Sequence, residues 1–287
     1  MENSYILRNP SENEIINVID QNGSGFWSTT LDYIDKDYFL KKNPNSEFSV
    51  KNDVSKFFTG MNVAMWNSFW GANFTEQEVK EKVSTLISQA KRKNIPFMWF
   101  VGVLSKPYNL GDYLVKAGLI KHESPGMYLN LTEIDETKYR VALDQSKIKI
   151  ERVSNPKEEE QWSDICSTAF GMEKIKDEVG RIWRVIFKFC DSYLATIEGK
   201  PVGVSLVSYG SGVAGIYCVA VCSEYRNRGI GKAITMAPLL QAKKKGYEIS
   251  ILTSSELGFN VYSKIGFKEC CKKGMYMYTP ETQKEEK

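Results

Sequence analysis

The stretch that decides the fold spans residues 219–232 and reads VAVCSEYRNRGIGK. Its apolar start predicts the end of a strand, and the run after Gly229 predicts the start of a helix. Gly229 and Gly231 carry no side chain at the first helical turn, where backbone N–H groups lack intrahelical partners and the helix dipole is positive. These amides can close on an anion, so the segment predicts a pyrophosphate site. Three cations flank it: Arg226, Arg228 and Lys232.

Other phosphate-binding loops do not fit this stretch. The GxxxxGK[ST] pattern of the P-loop is absent, and so is GxGxxG with an acid about 20 residues further on. A glycine-capped basic helix start that holds no ligand is the alternative interpretation.

Residues 221–231 resemble the VxPxYRxRGxG motif of the GNAT superfamily of acetyltransferases, with Ser223 where the family has proline. The resemblance covers about Ile148 to Tyr278. It implies that Val219, Ala220 and Val221 offer main-chain groups to the pantetheine of acetyl-CoA. It also implies a set of pyrophosphate-binding residues: Arg226, Asn227, Arg228, Gly229, Ile230, Gly231 and Lys232.

A second signature lies at residues 261–267, VYSKIGF, which resembles the LYxxLGF helix end of GNAT enzymes. By this resemblance Tyr262 is the catalytic tyrosine that faces the thioester sulfur. Ser255 stands where many relatives have an asparagine that contacts the cofactor, so it is a further cofactor-binding candidate.

The activity implied is an acetyl-CoA-dependent N-acetyltransferase that acts on a primary amine of a small molecule or peptide by direct attack in a ternary complex. A main-chain N–H of the 219–221 strand would polarise the carbonyl, and Tyr262 would donate a proton to the departing thiolate. Cys218 as a covalent nucleophile is an alternative. The general base is not assigned; the candidate acids are Glu173, Asp177, Glu178, Asp191 and Glu256.

The order of elements predicts an α/β (α+β) fold. Ahead of the phosphate segment, the pattern predicts two helices and three strands, with a hairpin turn at residues 198–200. Behind it come a helix from Gly229 to Lys245, a strand, a helix from Glu256 to Ile265 and a final strand pair through Tyr278. The residues from Glu281 onward are expected to be disordered.

An internal echo divides the chain into two domains. Residues 89–93, QAKRK, return as residues 241–245, QAKKK, and residues 126–128, GMY, return as 274–276. We therefore predict two GNAT-like domains, residues 1–142 and 143–287, each a mixed, mostly antiparallel sheet flanked by helices. The boundary falls in the polar stretch from Thr132 to Ser146.

The first domain is predicted to be a degenerate copy that does not bind acetyl-CoA. Thr75 and Glu78 form a capping box where its cradle would begin, and paired glycines are missing there. Its aromatic residues are expected to be mainly core, with a few exposed ones holding an apolar or cationic acceptor. The tryptophans concerned are Trp27, Trp66, Trp70 and Trp99.

Composition narrows the function classes. The net charge of +3 argues against a nucleic-acid partner, and no apolar run approaches the roughly 20 residues that span a bilayer. No secretory signal is evident, so a cytoplasmic protein is expected. Six cysteines without paired CxxC spacing and a single histidine predict no metal site. A monomer and a homodimer both remain open, as do a non-catalytic acetyl-CoA sensor and a structural or interaction protein.

Overall fold

The computed structural model describes residues 5–137, 139 and 147–280. The helices are α1 (Glu12–Tyr33), α2 (Lys36–Lys42), α3 (Val79–Arg92), α4 (Leu110–Lys116), α5 (Pro156–Ala169), α6 (Lys176–Ile186), α7 (Ile230–Lys244) and α8 (Glu256–Ile265). The strands are β1 (Glu47–Ser49), β2 (Ser55–Phe58), β3 (Asn67–Trp70), β4 (Phe97–Val101), β5 (Ile120–Asn130), β6 (Ile148–Arg152), β7 (Cys190–Ile197), β8 (Lys200–Gly210), β9 (Val213–Val221), β10 (Ile249–Thr253) and β11 (Lys268–Tyr278). Within the described ranges, none of the helices combines the length and apolar character needed to cross a membrane.

The chain forms two compact units, and neither is a contiguous half of the sequence. The first unit comprises Met1–Phe26 and Pro125–Cys271, and the second comprises Trp27–Ser124 and Lys272–Lys287. The predicted boundary at residues 142 and 143 lies outside the described residues, as does the tail from Glu281.

The first unit is built on strands in the order β5-β10-β9-β8-β7-β6. All neighbours in this series are antiparallel except β9 and β10, which run parallel. Helix α7 packs against β9 through Ile230, Ile234 and Ile216 in the main core. Helix α1 packs through Val18 and Ile19 in a second cluster with Val213, Ile249 and Ile251.

The second unit contains strands β1-β2-β3-β4-β11, with one parallel pair, β3 and β4. Most of its aromatic residues are core. The buried ones include Phe57, Phe58, Trp66, Phe69, Trp70, Phe97 and Trp99, whereas Trp27 is half-buried against Phe57 and Trp66. The expectation that these rings are mainly core is confirmed.

The internal echo reflects a repeated order of elements. The series β3-α3-β4-α4-β5 recurs as β9-α7-β10-α8-β11. Each repeat's last strand pairs with the other repeat's middle strand, β5 with β10 and β11 with β4. This pairing explains why the compact units do not follow the sequence halves.

Three local predictions have different outcomes. The hairpin turn is confirmed, since Glu198 and Gly199 adopt positive φ between β7 and β8. The final strand pair is wrong, because β11 runs unbroken and Gly274 continues the ladder opposite Val101. The longest apolar run, Phe97 to Leu104, predicts a strand from its sequence, but the strand ends at Val101, since a turn closed by the Ser105 N–H on the Gly102 carbonyl follows. The α/β class with mostly antiparallel strands is confirmed.

Candidate functional site

The strands β9 and β10 separate where the phosphate segment approaches. Among the described residues, their parallel register covers only Ala214 and Gly215 opposite Ser250 and Ile251. Strand β9 nevertheless continues to Val221. The divergence leaves main-chain groups on the β10 side of residues 216–221 for a ligand, where Val219 and Val221 are half-buried and Ala220 is buried.

A bulge interrupts the other edge of β9. Val204 pairs with Ala220 and Leu206 pairs with Tyr217, so Ser205 lies opposite two residues, Cys218 and Val219. Cys218 has φ +51°, a left-handed conformation that is unfavourable for a side chain with a Cβ. A bulge of this kind turns the strand locally and re-aims its amides.

The start of α7 has the backbone geometry that the predicted anion cradle needs. Gly229 is the N-cap residue with φ +79°, and its carbonyl accepts the first helical bond from the Ala233 N–H. No side chain caps this end, so the N–H groups of Ile230, Gly231 and Lys232 remain free of a capping side chain. Helix α7 therefore presents amide donors at its positive end.

Cations surround this helix start. Arg226, Asn227, Arg228 and Lys232 are exposed. The Arg226 Nε–H donates to the Val221 carbonyl at 3.3 Å, and the Arg228 guanidinium lies 5.3 Å from the centre of the Tyr225 ring. These contacts hold two positive charges beside the free amides, as a diphosphate requires.

Gly231 lies where three elements meet. A Cβ added here would lie 3.8 Å from Val261 on α8 and 3.9 Å from Val221 at the end of β9. The start of α7, the end of β9 and the helix that carries Tyr262 therefore line one groove.

Tyr262 is half-buried on α8, and its position depends on a glycine. A Cβ on Gly258, one turn earlier, would lie 2.7 Å from the Tyr262 ring. Burial, with a smaller effect of the nearby Cys218 thiol, raises the pKa of Tyr262 to about 12. The phenol is therefore a neutral hydrogen-bond donor at physiological pH, close to the bulge of β9.

A cavity of about 490 Å³ opens beside the start of α7. Arg228, Gly229 and Lys232 line it together with apolar side chains that include Met236 and Ile265. The cradle thus borders space that a ligand can enter.

Residues 188–269 match the family model described as the acetyltransferase (GNAT) domain. The matched segment contains β9, the start of α7 and α8, so it includes the whole groove around Gly231. No curated protein matches the chain in sequence.

Solved structures show the same fold over most of the chain. A GCN5-related N-acetyltransferase from Kribbella flavida is 14% identical with a TM-score of 0.58, covering 86% of this chain and 94% of its own. A GCN5-related N-acetyltransferase-like protein from Streptococcus suis is 13% identical with a TM-score of 0.52, covering 84% and 93%. A tandem GNAT protein from the clavulanic acid biosynthesis pathway is 11% identical with a TM-score of 0.52, covering 74% of each chain.

Ser255 has a structural role in this GNAT domain. Its hydroxyl is the N-cap of α8 and accepts a hydrogen bond from the Gly258 N–H at 3.2 Å. The residue is exposed. The cap explains why a serine suits this position.

The predicted acids lie in different surroundings. Asp191 is buried and forms ion pairs with Arg152 and with Lys245, the latter at 2.7 Å. Glu173, Asp177 and Glu256 are exposed. Glu178 is half-buried at the start of α6. No group of three or more His, Cys, Asp or Glu side chains that could hold a metal is present among the residues described.

Two residues near the bulge were missed by sequence reasoning. Asn22 and Phe26 on α1 contact Tyr217, the residue before Cys218. Sequence reasoning also missed Cys166 on α5, a buried neighbour of Cys218. Burial and a hydrogen bond with the Cys218 thiol raise the pKa of Cys166. No local pattern could have found these contacts, since the partners are far apart in sequence.

Proposed function

We propose that this protein transfers an acetyl group from acetyl-CoA to a primary amine of a small molecule or peptide, by direct attack in a ternary complex. The observation that carries the proposal is the groove around Gly231, where uncapped amides, a splayed strand and a neutral, half-buried tyrosine meet. The match of residues 188–269 to the acetyltransferase (GNAT) domain model supports acetyl transfer in general.

The residues present fit acetyl-CoA as a substrate. The amides of residues 230–232 and the side chains of Arg226, Arg228 and Lys232 match the charge of a diphosphate. The free main-chain groups of 219–221 suit the amide-bearing pantetheine arm, because they can form strand-like hydrogen bonds with it. Bound acetyl-CoA would supply the thioester whose carbonyl the amine attacks.

The chain's own residues then orient and stabilise the reaction. Holding acceptor and donor in one groove makes the attack effectively intramolecular. A main-chain N–H beside the bulge of β9 hydrogen-bonds the carbonyl oxygen as it gains negative charge. Tyr262 keeps its proton and delivers it, or a hydrogen bond, to the sulfur that leaves. The amine loses its proton to a base or through a water chain before or during the attack.

The second compact unit, by this proposal, does not bind acetyl-CoA. At the start of α3, the Thr75 N–H donates to the Glu78 carboxylate at 3.2 Å and the Glu78 N–H donates to the Thr75 hydroxyl at 3.3 Å. These bonds satisfy two amides directly before α3 and place negative charge where a pyrophosphate would need the opposite.

A non-catalytic acetyl-CoA sensor is the second candidate. The engagement of Asp191 in ion pairs and the exposure of Glu173, Asp177 and Glu256 favour it, because turnover needs a base. Saturable binding without thiol release would identify this function.

One experiment separates these functions. Calorimetry of the full-length protein with acetyl-CoA, followed by thiol release across a panel of amines, should show binding and turnover. Gly229→Glu should abolish both, because its carboxylate repels the diphosphate. Absence of any association by the folded wild-type protein would overturn the acetyltransferase proposal.

A further inference from the structure

We infer that Asn22 is a positioning residue for acetyl transfer. It fixes the backbone of strand β9 at Tyr217 and thereby the conformation of the bulge at Cys218. The inference rests on the proposed function. Asn22 lies on α1, 195 residues before its partner Tyr217, and both belong to the first compact unit.

The Asn22 side chain is buried and uses both ends of its amide. Its Oδ1 accepts a hydrogen bond from the Tyr217 hydroxyl at 2.6 Å, and its Nδ2 donates to the Gly210 carbonyl at 2.9 Å. The reverse orientation of the amide would set two oxygens against each other at Gly210. The pair of bonds therefore links the end of β8 to β9 in one arrangement.

Gly215 shows how closely Asn22 approaches β9. A Cβ at Gly215 would overlap the Asn22 amide. The strand thus meets Asn22 at residues 215 and 217, two positions on one face directly before the bulge. Glycine at 215 is what permits this approach.

Tyr217 is fixed by a second contact from the same helix. Its ring stacks on Phe26, one turn after Asn22, with centroids 4.8 Å apart and an interplanar angle of 18°. Burial raises the pKa of Tyr217, so the hydroxyl stays protonated and donates. Helix α1 therefore contacts Tyr217 twice: Phe26 packs on the face of the ring, and Asn22 accepts the hydrogen bond of the hydroxyl.

The adjoining Cys218 adopts φ +51°, a conformation that persists only where its surroundings determine it. Tyr217 precedes it, so the contacts from α1 fix one side of the bulge. Loss of the Asn22 bond frees Tyr217 to move and lets the amides of Cys218 and Val219 reorient. The cradle at α7 is built by local backbone and should not change.

The expected signature is therefore a loss of kcat without a loss of CoA affinity. Asn22→Ala and Tyr217→Phe should each lower kcat roughly 10- to 100-fold, the cost of misplacing groups at a reacting centre by about 1 Å. The double variant should be no slower than the slower single variant, because Tyr217→Phe removes a bond that Asn22→Ala has already removed. The Kd for CoA should stay within about 3-fold. Gln21→Ala, an exposed amide beside Asn22 on α1, is the matched control and should behave as wild type.

Calorimetry with CoA and steady-state acetyl transfer by the full-length proteins test this, with thermal unfolding to check that each variant folds. Should Asn22→Ala fail to fold, Tyr217→Phe decides alone, since phenylalanine retains the ring on Phe26. Wild-type binding and turnover with unchanged kcat in Tyr217→Phe would overturn the positioning role and leave the proposed function standing. A wild-type protein that binds no CoA would instead overturn the proposed function, and the positioning role with it.

Discussion

The hydroxyl of Ser205 donates a hydrogen bond to the carbonyl of Ile234 at 2.7 Å, four residues before Pro238 in helix α7. A proline has no N–H, so this carbonyl lacks the helical donor that residue 238 would otherwise supply. Ser205 is fully buried opposite the bulge of β9, and its own carbonyl accepts from the Trp162 indole at 3.1 Å. One strand residue thus joins β8 to α7 and α5.

This relationship predicts that Ser205 and Pro238 are thermodynamically coupled. Ser205→Ala should lower the free energy of unfolding by about 1–3 kcal/mol, because it leaves a buried carbonyl unpaired. When position 238 is already alanine, Ser205→Ala should lower the free energy of unfolding by about 1 kcal/mol less, since the backbone N–H of residue 238 can then donate to the Ile234 carbonyl. Urea denaturation of the four proteins measures this. Equal costs in both backgrounds would show that the hydroxyl does not replace the missing donor.

Gly231→Ala should separate stability from ligand binding. The added methyl meets only ordinary contacts and replaces glycine within a helix, so the free energy of unfolding should rise by about 0.5–1 kcal/mol. The methyl points into the groove between Val221 and Val261, so the Kd for CoA should rise at least about 10-fold, a loss of about 1.4 kcal/mol. Gly180→Ala in α6 is the control: it has open space, and CoA affinity should not change. Unchanged affinity in Gly231→Ala would place the ligand elsewhere.

Tyr262→Phe should slow acetyl transfer at an intact binding site. The variant keeps the ring beside Gly258 and removes only the donor to the leaving sulfur, so kcat should fall roughly 100-fold. Affinity for CoA should remain within about 2-fold, because the diphosphate binds at α7. Pre-steady-state thiol release and calorimetry make the comparison. A kcat within about 3-fold of wild type would remove Tyr262 from the chemistry.

The raised pKa of Tyr262 predicts a pH profile without an alkaline loss from this group. Because the pKa lies at about 12 rather than 10.0, the proton stays on the phenol until the pH approaches 12. The kcat at saturating acceptor should therefore show no descending limb up to about pH 10.5. A limb near pH 10 in wild type that disappears in Tyr262→Phe would contradict this.

Cys218→Ala distinguishes direct attack from an acyl-enzyme. If the amine attacks the thioester directly, the variant should keep kcat within about 3-fold, because no bond to the thiol forms. Cys222→Ala, at the end of the same strand segment, is the control. A loss of more than about 100-fold in Cys218→Ala alone would favour the covalent route.

Local sequence predicted the helices of the site well. Helix α8 begins and ends at Glu256 and Ile265 as expected, and α7 differs by one residue at each end. Both have strong local signals: glycine at the start of α7, and a serine cap and a C-terminal glycine in α8. The ends of the strands were predicted less accurately than those of the helices. Gly102 and Gly274 look alike in sequence, and only strand pairing decides which one lies in a turn.

The sequence by itself determined the uncapped, positively charged start of α7, since residues 226–232 are contiguous and their glycines, charges and helix start act through local backbone conformation. It also determined the place of Tyr262 on α8, because helical spacing fixes the tyrosine one turn from Gly258. Only the tertiary structure decided that Asn22 meets Tyr217, that Ser205 pairs with Ile234, and that β5 pairs with β10. These contacts join residues far apart in the chain, so they depend on which strands pair and which helix covers them, and no local pattern encodes that choice.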